Sequence, residues 1–163
     1  MTKKLMNKQS IIIYFTSSGT TRKAADTLAQ LTGAQAFAIQ STPPYPKSYE
    51  AVAKVGKTQL DAQTHPQLDK TTVPDISTFD RVYIGFPTWW QQPPMIIHSL
   101  FDELDFDDKT IIPFTTSMST PMADSMPHMK KMAAAFNNTT VIDGIRYENE
   151  RGLRDYLTQH HLI

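Results

Sequence analysis

Five short apolar runs, separated by segments with helical periodicity, constrain the fold of this chain most strongly. The runs are IIIYF (11–15), AQAFAI (34–39), RVYIGF (81–86), TIIPF (110–114) and TTVIDGI (139–145). The first, third and fourth are nearly continuous in apolar residues, which is typical of strands buried on both faces of a parallel sheet. Between the runs, apolar residues recur at the spacing of amphipathic helices. This alternation predicts an α/β fold, a three-layer α/β/α sandwich with a five-stranded parallel sheet.

The length of 163 residues is that of one ordinary domain, and the sequence shows neither repeats nor a second unit. Residues 1–9 are expected to form a flexible N-terminal extension. Gly19 or Thr20 is predicted to open the first helix, and Gly33 is predicted to end it. Pro121 and Pro127 predict a short turn followed by a helix from about Met126, with Ser125 as its cap.

Composition excludes several classes of function. The formal net charge is zero, so the basic face needed by a nucleic-acid-binding protein is not expected, nor is binding to an acidic membrane surface. The absence of cysteine excludes disulfides, thiolate zinc sites and a cysteine nucleophile. The five histidines lack ligand spacing, so no metal site is expected, and no side chain stands out as an acid–base catalyst. Without a long apolar stretch, a cytoplasmic location is expected.

A hydroxyl-rich loop, TSSGTT, follows the first apolar run and opens the first helical segment. Its members are Thr16, Ser17, Ser18, Gly19, Thr20 and Thr21. The N-terminus of a helix directs backbone N–H groups beyond the end of the strand, where they can bind a phosphate. The loop has neither the Walker A pattern nor the dinucleotide-binding fingerprint. Serine and threonine also cap helices and fill turns, so the loop alone leaves both readings open.

A second loop, GFPTWWQQPP (85–94), follows the third apolar run and carries both tryptophans of the chain. The residues of interest are Pro87, Thr88, Trp89, Trp90 and Gln91. A flat aromatic ligand lying against an indole would explain the pair, whereas a tryptophan closing the end of the sheet or forming a homodimer contact is the alternative. Both loops follow strands at their carboxyl ends, where open α/β sheets bind ligands. A phosphate and a flat ring together predict FMN.

The motifs resemble those of the flavodoxin-like FMN proteins along almost the whole chain. Thr16, Ser18, Gly19 and Thr21 fall on the family pattern [ST]-x-T-G-x-T, with Ser18 in place of the usual threonine. The sequence is also similar to the subgroup with PYP…Y, at 44–46 and 49, followed by G-[YF]-P-x-W-W, at 85–90, and the strand KTIIPF, at 109–114.

The resemblance implies strand order 2-1-3-4-5 and a role for each loop. Residues 16–21 would hold the FMN phosphate, Thr88 to Gln91 would run along the isoalloxazine, and TTSMST (115–120) would close the other side. The candidates in this third loop are Thr116, Ser117, Met118 and Ser119. Relatives usually have paired glycines where Met118 and Ser119 stand, and commonly have glycine in place of Gln91.

Three functions follow as hypotheses. The first is a flavoprotein that transfers electrons through FMN to and from a redox partner protein. The second is a reductase that uses NAD(P)H to reduce quinones or similar flat acceptors. The third is an interaction module that keeps the fold and binds no cofactor, since the third loop is poor in glycine.

Overall fold

The computed structural model describes residues 9–163. The strands and helices are, in chain order, β1 (Ser10–Tyr14), α1 (Thr20–Thr32), β2 (Gln35–Ala38), α2 (Tyr49–Ala62), β3 (Arg81–Pro87), α3 (Met95–Glu103), β4 (Thr110–Thr116), α4 (Met126–Ala133), β5 (Thr140–Val141), β6 (Ile145–Arg146) and α5 (Glu150–Gln159). The predicted extension falls outside the described residues except for Gln9, whose carbonyl oxygen accepts hydrogen bonds from the N–H groups of Asp80 and Arg81. No helix between residues 9 and 163 is long and apolar enough to cross a membrane.

All strand pairs of the sheet are parallel, in the order β2-β1-β3-β4-β5, with β6 also pairing with β4. Side chains of β1 alternate between two cores. Ile11 and Ile13 pack with residues of α3 and α4, while Ile12 and Tyr14 pack with residues of α1 and α5. Helices therefore cover both faces, which explains why the strand sequences are apolar throughout. The predicted three-layer sandwich and strand order are confirmed.

The segment 139–145, expected to be one strand, forms two short strands. The backbone oxygens of Ile111 and Thr115 accept hydrogen bonds from the chain along this edge, at 3.1 and 2.8 Å, so the odd-numbered residues of β4 face β5 and β6. Pro113 faces the same edge and has no N–H to donate. Gly144 passes over it so closely that an added Cβ would lie 2.2 Å from the Pro113 oxygen. The sheet consequently has six strands instead of five.

Helix ends agree with the sequence except in one detail. Gly33 ends α1 with φ at 77°, and its N–H donates to the Ala29 oxygen at 2.8 Å, as predicted for a glycine C-cap. Helix α4 begins at Met126 as expected, but the Ser125 side chain does not cap it. Ser125 is already helical, with φ −86° and ψ −18°, because its N–H closes a 3₁₀ turn over Met122–Asp124. A side-chain N-cap requires an extended residue.

Candidate functional site

The three predicted loops meet at the carboxyl edge of the sheet, after β1, β3 and β4. Threonine pairs connect them: the Thr21 and Thr116 hydroxyls lie 2.7 Å apart, and the Thr88 and Thr115 hydroxyls lie 2.6 Å apart. The Thr88 N–H also donates to the Thr116 oxygen at 2.9 Å. Strand β1 lies between β2 and β3, so the chain leaves it in one direction and returns on the other side. Ligands of open α/β sheets bind at such a switch point.

The hydroxyl-rich loop presents the start of α1 without a side-chain cap. The first turn of any α-helix leaves its N–H groups without intrahelical acceptors. Among the residues described, no hydroxyl accepts from Thr20, Thr21 or Arg22: the Thr16 hydroxyl accepts from the Gly19 N–H at 3.0 Å, and the Ser18 hydroxyl lies 3.2 Å from that of Thr20. The hydroxyls of this loop therefore do not cap α1, although that of Thr16 fills the turn before it.

Gly19 gives the loop its shape. Its φ of 94° lies in the left-handed region that favours glycine, and an added Cβ would have no atom within 4 Å. Open space thus lies directly beside the start of α1. Thr21 plays a different part from its neighbours, because it is buried and its hydroxyl joins Thr116. It ties the first loop to Thr116, which the structure places at the end of β4 and not in the loop after it as expected, whereas Ser17, Ser18 and Thr20 are exposed.

The tryptophan loop is a tight turn with two strained residues. Trp89 and Gln92 exchange backbone hydrogen bonds of 3.0 and 3.2 Å. Between them, Trp90 has φ of 50° and Gln91 has φ of 66°, the left-handed pair of a type I′ turn. Such turns favour asparagine and glycine, and each other residue held there costs about 1–2 kcal/mol. Strain of this kind tends to occur at functional sites.

The two tryptophans have different surroundings. Trp89 packs edge-on against Phe15 and Tyr45, with ring centroids 5.6 and 5.7 Å away, and an added Cβ on Gly56 would lie 3.0 Å from its indole. Trp89 thus closes the end of the sheet. Trp90 is 43% exposed, and the Lys57 ammonium lies 6.0 Å from its ring centroid. Of the two indoles, Trp90 has the more accessible face for a flat ligand.

A cavity of about 340 Å³ joins the first two loops, a volume in the range of small-molecule sites. Its walls are Ser17, Ser18, Lys47, Tyr49, Val52, Ala53, Thr88, Trp89 and Trp90. Sequence reasoning assigned no role to the four residues from the start of α2 and the segment before it. The PYP…Y motif was the available signal, since Tyr49 is its last member and stands 88% exposed at the rim.

The third loop lies beside this cavity but is not part of its described wall. Met118 is fully exposed, Ser119 is exposed, and the Ser117 hydroxyl donates to the Thr120 oxygen. Arg146 of β6 holds the loop from behind: its Nη1 donates to the Ser117 and Met118 oxygens at 3.2 and 3.3 Å. No sequence motif pointed to Arg146, because it lies in the segment whose strand was predicted to end at residue 145.

The sequence model of a protein family described as "Flavodoxin" matches residues 9–159. The chain belongs to the flavodoxin family. Among curated proteins, none matches it significantly.

Solved structures share the fold of this flavodoxin-family chain. A candidate flavoprotein from Bacteroides eggerthii is 26% identical, with 94% of this chain and 98% of that one covered and a TM-score of 0.76. A flavoprotein from Lactobacillus acidophilus in complex with FMN is 20% identical, with 94% and 98% covered and a TM-score of 0.71. A flavodoxin from Fusobacterium nucleatum bound to flavin mononucleotide is 13% identical, with 95% and 98% covered and a TM-score of 0.55. At these last two identities the likeness concerns the fold alone.

The residues of this flavodoxin-family site fit a phosphate and a flat ring. Uncapped N–H groups and open space at Gly19 suit an anion, and the exposed Trp90 face suits a ring. No lysine lies in the loop 16–21. Within residues 9–163, no cluster of three histidine, aspartate or glutamate side chains is arranged to hold a metal ion. Backbone N–H and hydroxyl groups are therefore the donors that residues 16–21 offer to an anion.

Proposed function

We propose that this flavodoxin-family chain binds FMN and transfers electrons through it. The observation that carries the proposal is the convergence of an uncapped helix start, a tryptophan turn and a third loop at one edge of the sheet, tied together by threonines. Bound FMN would supply the redox chemistry, and the protein would hold the cofactor and control access to it. The FMN named with the Lactobacillus and Fusobacterium proteins of this fold supports the choice of cofactor.

In this proposal, residues 16–21 grip the phosphate. Backbone N–H groups at the start of α1 donate to its oxygens, and the dipole of the helix adds about 0.3–1 kcal/mol. Hydroxyls of Ser17, Ser18 and Thr20 are exposed beside them and can donate as well. Each charge-assisted hydrogen bond contributes about 1.5–3 kcal/mol. A cradle of this kind suits a phosphate that is held and never transferred.

The ring would lie against the tryptophan turn. Trp89 is fixed by its packing, so it supports the turn, and Trp90 offers its exposed face for offset stacking worth about 0.5–1.5 kcal/mol. The Thr88 hydroxyl and N–H are both engaged with β4, which fixes the distance between the second and third loops. These contacts preorganise the site and hold its walls in place before the cofactor arrives.

The electron donor and acceptor are part of the proposal. A redox partner protein is the preferred partner, and NAD(P)H with a small flat acceptor is the alternative. Zero net charge gives the chain little long-range attraction for either a basic or an acidic partner. Selection of the electron donor and acceptor would then depend on contacts near the exposed rim, where Tyr49, Trp90 and Met118 all lie.

Titration of the apo protein with FMN tests cofactor binding. Quenching of flavin and tryptophan fluorescence at micromolar FMN is expected, and unchanged emission would leave only the cofactor-free interaction module. Trp90→Leu should weaken FMN binding by about 2- to 12-fold, the equivalent of one stacking contact. Ile163→Ala, which truncates an exposed apolar residue at the C-terminus, is the control and should leave the affinity unchanged.

Anaerobic mixing of the FMN-loaded protein with NADH or NADPH separates the two redox functions. Slow or absent bleaching of the flavin absorbance is expected, because an electron carrier depends on a protein donor. Rapid bleaching followed by turnover with a quinone would replace the carrier assignment with the reductase.

A further inference from the structure

A second cavity, of about 530 Å³, shares no lining residue with the cavity of the proposed FMN site. It is bordered by the segment after α2 and by helices α3 and α4, and its lining brings together His65, His98, Asp102, His128 and Lys131. These residues come from three separate segments of the chain, so no single sequence motif indicates the cluster. Three of the five histidines of the chain are therefore found around one cavity.

The cluster has a definite arrangement. The His65 Nδ1 lies 2.7 Å from an Asp102 oxygen, which occupies this carboxylate and orients the ring. The His65 and His98 rings are 5.0 Å apart at an angle of 33°. The His98 Nε2 is buried and, among the described residues, has no hydrogen-bond partner. A buried polar atom without a partner is uncommon in a native protein and calls for an explanation.

The lining is rich in groups that can donate to an anion. Asp102 is its only carboxylate and is already paired with His65, while His98, His128 and Lys131 form no salt bridge in the part of the chain that the structure describes. A metal ion does not fit, since no such cluster within residues 9–163 has a metal-binding arrangement. The remaining wall includes apolar side chains, namely Phe101, Met132, Ala135 and Phe136.

We propose that this cavity binds a small organic anion, a carboxylate with an apolar body. The carboxylate would accept hydrogen bonds from the His128 and Lys131 side chains, and the apolar body would lie against Phe101 and Phe136. Protonated imidazoles bind an anion better than neutral ones, so binding and proton uptake favour each other. The groups that face His98 and set its charge are His65, His128, Asp102 and Lys131.

The cavity also touches the tryptophan turn. Gln92 lines it, and the Gln92 backbone forms both hydrogen bonds that close the turn with Trp89. A ligand against Gln92 therefore contacts the same strained turn that borders the proposed FMN site, and tryptophan emission should report its arrival. The proposal does not depend on FMN, because the apo protein carries the whole cluster.

Titration with hexanoate, followed by the imidazole NMR resonances and by tryptophan emission, tests the site in the full-length apo protein. Hexanamide is the neutral control of the same shape, and inorganic phosphate tests whether the apolar body matters. We expect saturable shifts of His65, His98 and His128 with hexanoate only. Affinity should rise as the pH falls, most steeply below about pH 6, because burial lowers the pKa of both His98 and His128 and the bound anion favours their protonated forms.

Variants locate the binding to this cluster. Lys131→Met and His128→Gln, both on α4, should each weaken hexanoate binding about tenfold or more, as expected for loss of a charge-assisted hydrogen bond. His161→Gln, near the C-terminus, is the matched control and should bind as the unmodified chain does. The proposal is overturned if hexanoate gives no saturable shift at about 50 mM near pH 6. Equal binding of hexanamide, or unchanged binding by both α4 variants, would overturn it as well.

Discussion

Replacing Arg146 with alanine should loosen the third loop of the proposed FMN site. Its guanidinium donates to two successive loop oxygens at 3.2 and 3.3 Å, at or just beyond the long end of the normal range. Since the side chain is 26% exposed, we assign each bond about 0.5–1 kcal/mol, below the value of ideal charge-assisted bonds. The sum, about 1–2 kcal/mol, corresponds to a change of about 5- to 30-fold in the population of the ordered loop.

Amide hydrogen exchange at residues 117–120 measures this effect directly, and FMN affinity measures its consequence. Exchange should become faster by about 5- to 30-fold in Arg146→Ala, and the apparent Kd for FMN should rise by up to the same factor. Arg146→Lys keeps the charge but replaces the planar guanidinium, whose Nη1 donates to both oxygens, by an ammonium, so an intermediate effect is expected.

The matched control is Arg154→Ala, which removes an arginine from an exposed pair with Glu150 on α5. That pair contributes at most about 0.5 kcal/mol, so loop exchange and FMN affinity should stay within about twofold of the unmodified chain. If Arg146→Ala exchanges its loop amides and binds FMN as the control does, Arg146 does not order the third loop. Arg146→Lys keeps the test decisive should the alanine variant unfold.

Three further predictions concern stability. Gly144→Ala should destabilise the fold by about 3 kcal/mol or more in urea unfolding, because the added Cβ would lie 2.2 Å from a backbone oxygen of β4. The control is Gly152→Ala, inside α5, where the nearest atom to the added Cβ is 3.4 Å away. This variant should be more stable than the unmodified chain by about 0.5–1 kcal/mol. Gln91→Asn should stabilise the folded state by about 0.5–1 kcal/mol, since asparagine tolerates the positive φ and the glutamine side chain is exposed. Equal or lower stability would show that Gln91 is not strained in the turn. Burial lowers the pKa of His98 to about 4, so the folded state disfavours its proton and stability should fall as pH drops from about 6.5 towards 4. We expect a loss on the order of 1–2 kcal/mol, less than the full shift implies because the ring is partly exposed, and His98→Gln should lose this pH dependence while His161→Gln keeps it.

The apolar pattern was sufficient for the layers, the family resemblance supplied the strand order, and neither gave the last strand correctly. Continuous apolar runs report burial on both faces directly, which is why β1, β3 and β4 were predicted close to their observed bounds. The break between β5 and β6 depends on which edge Pro113 faces, and that is fixed only once β4 has paired with its neighbours. Whether the Ser125 side chain can cap α4 likewise depends on the 3₁₀ turn before it.

The candidate site was likewise predicted only in part. Residues that follow a strand in sequence, such as Gly19 and Trp90, were predictable because the ends of parallel strands share one edge. Lys47 and Tyr49 reach the cavity from a crossover, and Arg146 reaches the third loop from another strand. Their positions follow from tertiary packing, which local sequence patterns do not reveal. The histidine cluster was missed for the same reason.

The relative affinity of FMN and riboflavin for the apo protein is the sharpest test of phosphate binding at this site. The two ligands share the ring and differ only in the phosphate, so the ratio of their affinities measures how strongly residues 16–21 bind the phosphate. Two charge-assisted hydrogen bonds would make FMN about 100-fold tighter or more. Riboflavin binding within about threefold of FMN would show that the uncapped start of α1 does not hold the phosphate.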